Sequence, residues 1–165
     1  MLRELAATID SGNDVNLLIE MVLEGISRGV GMDRVLFAML TPDRKLLKAR
    51  YTVGWDAIKL KQEFSFDVLP ESANVFRYLL ETGEAIYVDS HSPYNIRIMV
   101  TESVKEIVDD APFFAMPIKV AGRTIGIFYA DRKPSKRELN EELYSSFKHF
   151  CQQAMLGIAH ISARH

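Results

Sequence analysis

Two histidines on one C-terminal run, His149 and His160, are the first side chains to consider for metal chemistry. On a helix they share a face but lie about 16 Å apart along the axis, which excludes a shared ion. Asp89, Ser90 and His91 contain the residue types of a nucleophilic relay. That chemistry needs side chains converging on one another, and three consecutive residues do not provide it. His91 therefore reads as a solvated loop residue. Cys151 is the single cysteine, so the chain cannot close an internal disulfide, build a thiolate-rich zinc site or resolve its own sulfenic acid. Gly25, Gly29 and Gly31 cluster where a helix ends, as chain-reversing residues rather than as a phosphate-cradling loop. Arg132, Lys133, Lys136 and Arg137 form a short basic run around a turn, which reads as a solvated face. No nucleophile, base or metal cluster supports a catalytic reading, so the expectation is a protein that is not an enzyme.

The composition points the same way. The chain has 165 residues with 48% apolar side chains, and such a length removes roughly 70% of its unfolded surface from water without a disulfide or structural metal. Twenty basic against 22 acidic residues give a net charge of −2, which offers no support for a nucleic-acid face. No apolar run reaches the ~18 residues of a membrane span, and the opening MLRELAATID lacks the pattern of a signal peptide. A lone thiol fits a reducing compartment. A cytoplasmic domain is expected, with neither membrane nor nucleic acid as partner.

Periodicity places these residues on elements. Leu2, Leu5, Ala6 and Ile9 mark residues 1–12 as a short helical extension or linker, with the domain proper over 13–165. Val15, Leu18, Ile19, Val22 and Ile26 form a helical stripe after Asn13 or Asp14. DRVLFAMLT and LLKARYTVG form a hairpin around Pro42–Lys45. Val35, Phe37 and Met39 oppose Leu36, Ala38 and Leu40, so the first of these strands is covered on both faces and sits mid-sheet. In the second, Leu47, Ala49, Tyr51 and Val53 are expected on one side and Lys48, Arg50 and Thr52 on the other. WDAIKLKQEF reads as a short helix and FSFDV as a short strand. Pro70 opens a helix that Gly83 ends. EAIYVDS is a strand, HSPYNIR a loop, and the run from Met99 to Val108 a short helix. FFAMPIKV and RTIGIFYAD form a hairpin around Ala121-Gly122, with Phe114, Met116, Ile118 and Val120 on one side. Ser135 and Glu138 match a capping box for a long final helix. On that helix a second apolar line, Tyr144, Cys151 and Met155, predicts a partner helix. The order is that of an α+β fold with a largely antiparallel sheet.

FFAMPIKVAGRTIGIFYADR followed by a long closing helix, with VLFAMLT and ARYTVGW before it, resembles a GAF domain, a small ligand-sensing and dimerising module of signalling proteins. The likeness covers roughly residues 13 to 161. It implies a central antiparallel sheet of five or six strands, the N- and C-terminal helices on one face, and a pocket under short helices and loops on the other. Asp131-Arg132, Arg137 and Glu141-Glu142 stand at the spacing where cyclic-nucleotide-binding members carry Asn-Lys, Phe and Asp-Glu, and an Arg132–Glu141 ion pair would replace the pairing of that motif. The resemblance further implies a noncatalytic sensory domain, without cofactor, that binds a small organic ligand and acts as a homodimer, with an output domain in a longer chain. The residues it brings around the pocket are Tyr51, Trp55, Phe66, Phe76, Tyr94, Asn95, Arg97 and Phe114. The alternative is a ligand-free interaction module whose pocket is filled by Phe and Met side chains.

Overall fold

The apolar stripe that begins at Val15 winds into helix α1, Asn13–Glu24, and runs on through a π-helical turn, Gly25–Val30. The computed structural model describes residues 13–163. The expected helix over residues 2–9 lies outside them. Along the chain follow β1 (Arg34–Leu40), β2 (Leu46–Gly54), α2 (Ala57–Glu63), β3 (Ser65–Asp67), α3 (Val75–Thr82) and β4 (Ile86–Val88). Then come α4 (Tyr94–Arg97), α5 (Glu102–Val108), β5 (Phe113–Val120), β6 (Arg123–Asp131) and α6 (Glu141–Ala163).

The strands form one six-stranded antiparallel sheet in the order β3-β2-β1-β6-β5-β4. Its centre is β1 beside β6, as the two-sided apolar pattern of β1 requires. Val35, Phe37, Phe114, Ile118 and Phe128 pack beneath α1 and α6 on one face, while Leu36, Ala38, Phe113, Ile127 and Tyr129 pack under α2, α3 and α5 on the other. The expected α+β fold, terminal helices on one face and short helices on the other, is the fold observed. Ala121 and Gly122 turn the β5–β6 hairpin with φ of 54° and 78°, the pair of left-handed residues whose twist matches that of the strands. Pro117 is tolerated because β4 pairs only with Phe113–Ala115 and leaves that flank of β5 open. The two long helices approach closely: a methyl group on Gly25 would overlap the ring of Phe150.

Four features differ from the sequence reading. Arg50 is an extra residue in β2, because Phe37 pairs with Tyr51 while Ala38 pairs with Ala49. The bulge reverses the side-chain alternation. Leu47 and Ala49 face the short helices, whereas Tyr51 and Val53 face α1 and α6. Helix α3 starts at Val75 instead of after Pro70, since the Asn74 side chain accepts a hydrogen bond from Arg77 N at 3.0 Å and Leu69–Ser72 closes a separate turn. Helix α6 starts at Glu141, capped by Asn140, which accepts from Leu143 N at 2.8 Å. Ser135, read as its cap, instead lies in the preceding strap and donates its amide to Asp33. Within the expected loop HSPYNIR, Tyr94–Arg97 forms one helical turn, and the following helix begins only at Glu102.

The second apolar line of α6 has its partners inside the chain. Tyr144 stacks on Phe114 with centroids 5.2 Å apart, Cys151 is fully buried, and Met155 Sδ accepts from Lys119 N. The expected partner helix is not needed to cover these residues. The apolar side chains that α1 and α6 leave exposed are Leu17, Met21 and Leu156.

Candidate functional site

At one edge of the roof the chain leaves a cleft of about 420 Å³ between β4, α4, α5 and the start of β5. Val88, Val100, Val108 and Phe113 supply its apolar lining, and Tyr94, Arg97, Lys105 and Asp110 its polar groups. The chain is bent there by local hydrogen bonds. Asp89 accepts from the His91 amide at 2.8 Å and Ser92 Oγ accepts from the Asp89 amide at 2.9 Å, a side-chain substitute for backbone pairing that Asp and Ser readily supply. Pro93 then starts the single turn of α4. Arg97 Nε donates to Ser92 O at 2.9 Å, and the guanidinium lies 5.9 Å from the centre of the Tyr94 ring.

The opposite wall is α5. Asp109 ends it with φ 54° and ψ −126°, a backbone geometry that non-glycine residues seldom adopt. The Ile107 carbonyl, in its last turn, accepts from Arg34 Nη2 at 3.0 Å and from Lys133 Nζ at 3.1 Å. Two cations at the negative end of a helix are favourable.

Beneath the roof the space is taken by aromatic rings. Phe64, Phe66 and Phe76 lie with centroids 4.8 to 5.1 Å apart, and Phe113 stacks on Tyr129 at 5.4 Å. Such tilted and edge-on contacts are the favoured geometries of ring pairs. Phe66 and Phe76 are therefore buried members of this cluster.

Of the eight residues expected at a pocket, Tyr94 and Arg97 stand on the cleft. Asn95 is exposed on the same turn. Trp55 is exposed at the end of β2, away from the cleft lining. Tyr51 and Phe114 belong to the other face of the sheet. The bulge at Arg50 turns Tyr51 towards α1, where its hydroxyl donates to Asn16 Oδ1 at 2.6 Å. Phe114 packs between Tyr87 and Phe147, with centroids 4.9 and 5.5 Å away. Sequence reasoning missed Phe113, Val88, Lys105 and Asp110. Phe113 was accessible from strand alternation alone, because Phe114 shares a side with Ile118 and its neighbour must point the other way.

Two charged clusters flank the strand ends near the cleft. In the buried one, Arg34 reaches Asp131 with Nε at 3.0 Å and Nη2 at 2.6 Å, while the Tyr129 hydroxyl donates to the same carboxylate. Burial and the Asp131 charge push the Tyr129 hydroxyl well above the usual phenol range. In the second cluster, Asp33 accepts from Ser135 N and from Arg137 Nη2, both at 2.8 Å. Burial favours the neutral Asp33, but the hydrogen bonds from Ser135 and the Arg137 guanidinium outweigh it and hold the carboxyl below its ordinary value. Arg132 spans the carbonyls of Gly31, Val30 and Glu138 at 2.8 to 3.2 Å. The expected Arg132–Glu141 pair is thus replaced, because α6 begins late and the strap of residues 132–140 holds Arg132 against the end of the π-helical turn. The basic run lies at the surface, with Lys136 and Arg137 exposed, and Arg132, Lys133 and Arg137 each also make hydrogen bonds within the chain.

The family model described as GAF domain matches residues 14–160. The chain belongs to the GAF domain family. GAF domains are regulatory modules of sensory and signalling proteins, and solved structures share this architecture. A methyl-accepting chemotaxis protein segment, residues 122 to 287, aligns with a TM-score of 0.72 at 23% identity, covering 96% of this chain and 97% of that one. The GAF domain/HD domain protein of Geobacter sulfurreducens aligns with a TM-score of 0.72 at 14% identity, covering 91% and 95%. The GAF-B domain of DevS from Mycobacterium smegmatis gives 0.69 at 14% identity, covering 92% and 97%. At these identities the likeness is one of fold. No curated protein matches the chain in sequence. Among the described residues of this GAF domain, no cluster of three or more His, Cys, Asp or Glu is arranged to hold a metal ion. Nor is any helix among them long and apolar enough to cross a membrane.

Proposed function

We propose that this GAF domain is a noncatalytic sensor: a small organic molecule enters the cleft between β4, α4 and α5, and the layer of α1 and α6 dimerises and passes the change to an output domain. The observation that carries this reading is the cleft itself, an apolar floor with a few charged groups at its edge, the usual form of a small-molecule site. Tyr94 and Arg97 on α4, and Lys105 and Asp110 around α5, are the groups that orient the ligand. The reading of a dimer draws on Leu17, Met21 and Leu156, large apolar side chains that are 57%, 63% and 66% exposed on the two helices. The lone buried thiol accords with a reducing, cytoplasmic setting.

The five-ring cluster beneath the roof favours a second reading, an interaction module with its interior pocket closed. Thermal unfolding over a panel of metabolites, with the wild type and Ser90→Trp, separates the two. Ser90 is an exposed residue of the cleft wall, so the substitution obstructs the cleft without entering the core. A ligand at a hundredfold excess over Kd stabilises the native state by about 2.7 kcal/mol. The sensor reading expects such an upward shift of Tm in the wild type and its loss in Ser90→Trp. No shift with any compound supports the closed module.

A further inference from the structure

We propose that Lys133, Arg34 and Asp131 are positioning residues that couple the seating of α5, one wall of the cleft, to the seating of α1 and α6. The inference rests on the cleft being the sensory input. Its physical basis is that one strap grips both layers of the fold.

On the roof side the strap holds α5. Lys133 Nζ and Arg34 Nη2 both donate to Ile107 O. Arg34 cannot adjust alone, because its Nε and Nη2 are committed to the two oxygens of Asp131. Asp131 in turn accepts from the Lys133 amide at 3.1 Å, and its side chain is fully buried against 7% exposure for Arg34. A buried charge left without its partner is costly, so this cluster shifts as a body.

On the helix side the same strap holds the end of the π-helical turn that continues α1, and it runs directly into the start of α6. Asp33 precedes Arg34 and Arg132 follows Asp131, and neighbouring residues of an extended chain point to opposite faces. Asp33 binds Ser135 and Arg137. Arg137 also donates to Gly31 O at 3.0 Å, and Arg132 joins Val30 O and Gly31 O to Glu138 O. The Asp33 amide donates to Asp131 O at 2.9 Å, which ties the two clusters together through the backbone. Displacing α5 pulls Lys133, and the strap carries that displacement to the end of α1 and the start of α6. Coupling of this kind is reciprocal.

Native-state amide hydrogen exchange on the protein without added compounds tests this, so its result is independent of whether a ligand is ever found. Lys133→Met removes the strap's bond to α5 and Arg137→Gln removes the bond to Asp33. The amides of Phe128 and Tyr129 in the central strand correct for any global loss of stability. Each single variant is expected to speed exchange at least threefold at both ends of the strap, at Asp109 and Ala111 after α5 and at Leu143 and Tyr144 in α6. Their combination is expected to give less than the product of the two effects, and Lys133→Arg to restore wild-type exchange in α6. Local effects, with Lys133→Met confined to α5 and Arg137→Gln confined to α6 and the double variant simply multiplicative, would overturn the coupling.

Discussion

Arg34 and Asp131 meet across the first pairing of the two central strands, with two hydrogen bonds at 3.0 and 2.6 Å between a nearly buried guanidinium and a fully buried carboxylate. The Tyr129 hydroxyl and the Lys133 amide also donate to Asp131, and Arg34 Nη2 also donates to the Ile107 carbonyl. The contact therefore joins the sheet to the wall of the cleft.

Breaking this pair from one side strands a buried charge. Asp131→Leu or Arg34→Met is expected to lower the unfolding free energy by ~3–5 kcal/mol, the range for a severed buried ion pair. The double variant Arg34→Met/Asp131→Leu is expected to lose less than either single one, since it buries no unpaired charge. Urea unfolding of the four proteins measures the difference. Equal, additive losses would mean that the pair is not coupled.

Acid stability reports the second cluster. Asp33 has a folded-state value below its unfolded one, so it contributes stability above about pH 4, the ordinary carboxylate range, and that contribution is lost as the pH falls through the folded-state value. Asp33→Asn is expected to be less stable than the wild type at pH 7 and to converge on it as the pH falls below the ordinary carboxylate range and Asp33 itself takes up a proton. Thermal unfolding as a function of pH checks the convergence.

Cys151 is fully buried and burial pushes its thiol well above the usual range. Under native conditions a thiol reagent is expected to label it only as fast as the protein opens, and within the mixing time once the protein is unfolded. Fast native labelling would show that α6 is not seated on the sheet as described.

Much of this fold was legible in the sequence, and the failures share a cause. The two-sided pattern of β1, the Ala121-Gly122 hairpin and the stop at Gly83 are local signals, each decided by a few adjacent residues. The bulge at Arg50 is not local, because it exists only in the pairing of β2 with β1, and it moved Tyr51 to the opposite face. The start of α6 was misread for a similar reason. Ser135 and Glu138 satisfy the capping pattern, but Ser135 N is already committed to Asp33, a residue far away in sequence. The site was less legible than the fold. Tyr94 and Arg97 line the cleft because they stand on a loop segment at the rim of the scaffold, whereas Phe66, Phe76 and Phe114 are aromatic for the sake of packing.

In the proposed dimer the contact is made by the exposed apolar residues of the helical layer. Met21→Glu combined with Leu156→Glu places two charges on surface that is already solvated in the monomer, so folding is expected to be preserved while association is lost. Sedimentation of the wild type as a dimer and of the variant as a folded monomer would agree with this. A wild-type monomer at high protein concentration would remove the dimer from the account.

The sensor itself is tested most directly by methyl spectra of valine-labelled protein titrated with pooled metabolites. Val88, Val100 and Val108 line the cleft, whereas Val15, Val22 and Val30 lie in the helical layer. At least one pool is expected to shift the cleft valines saturably, with the helix-layer valines following at the same concentrations. Pools that leave Val88, Val100 and Val108 unmoved throughout would contradict a ligand-binding cleft.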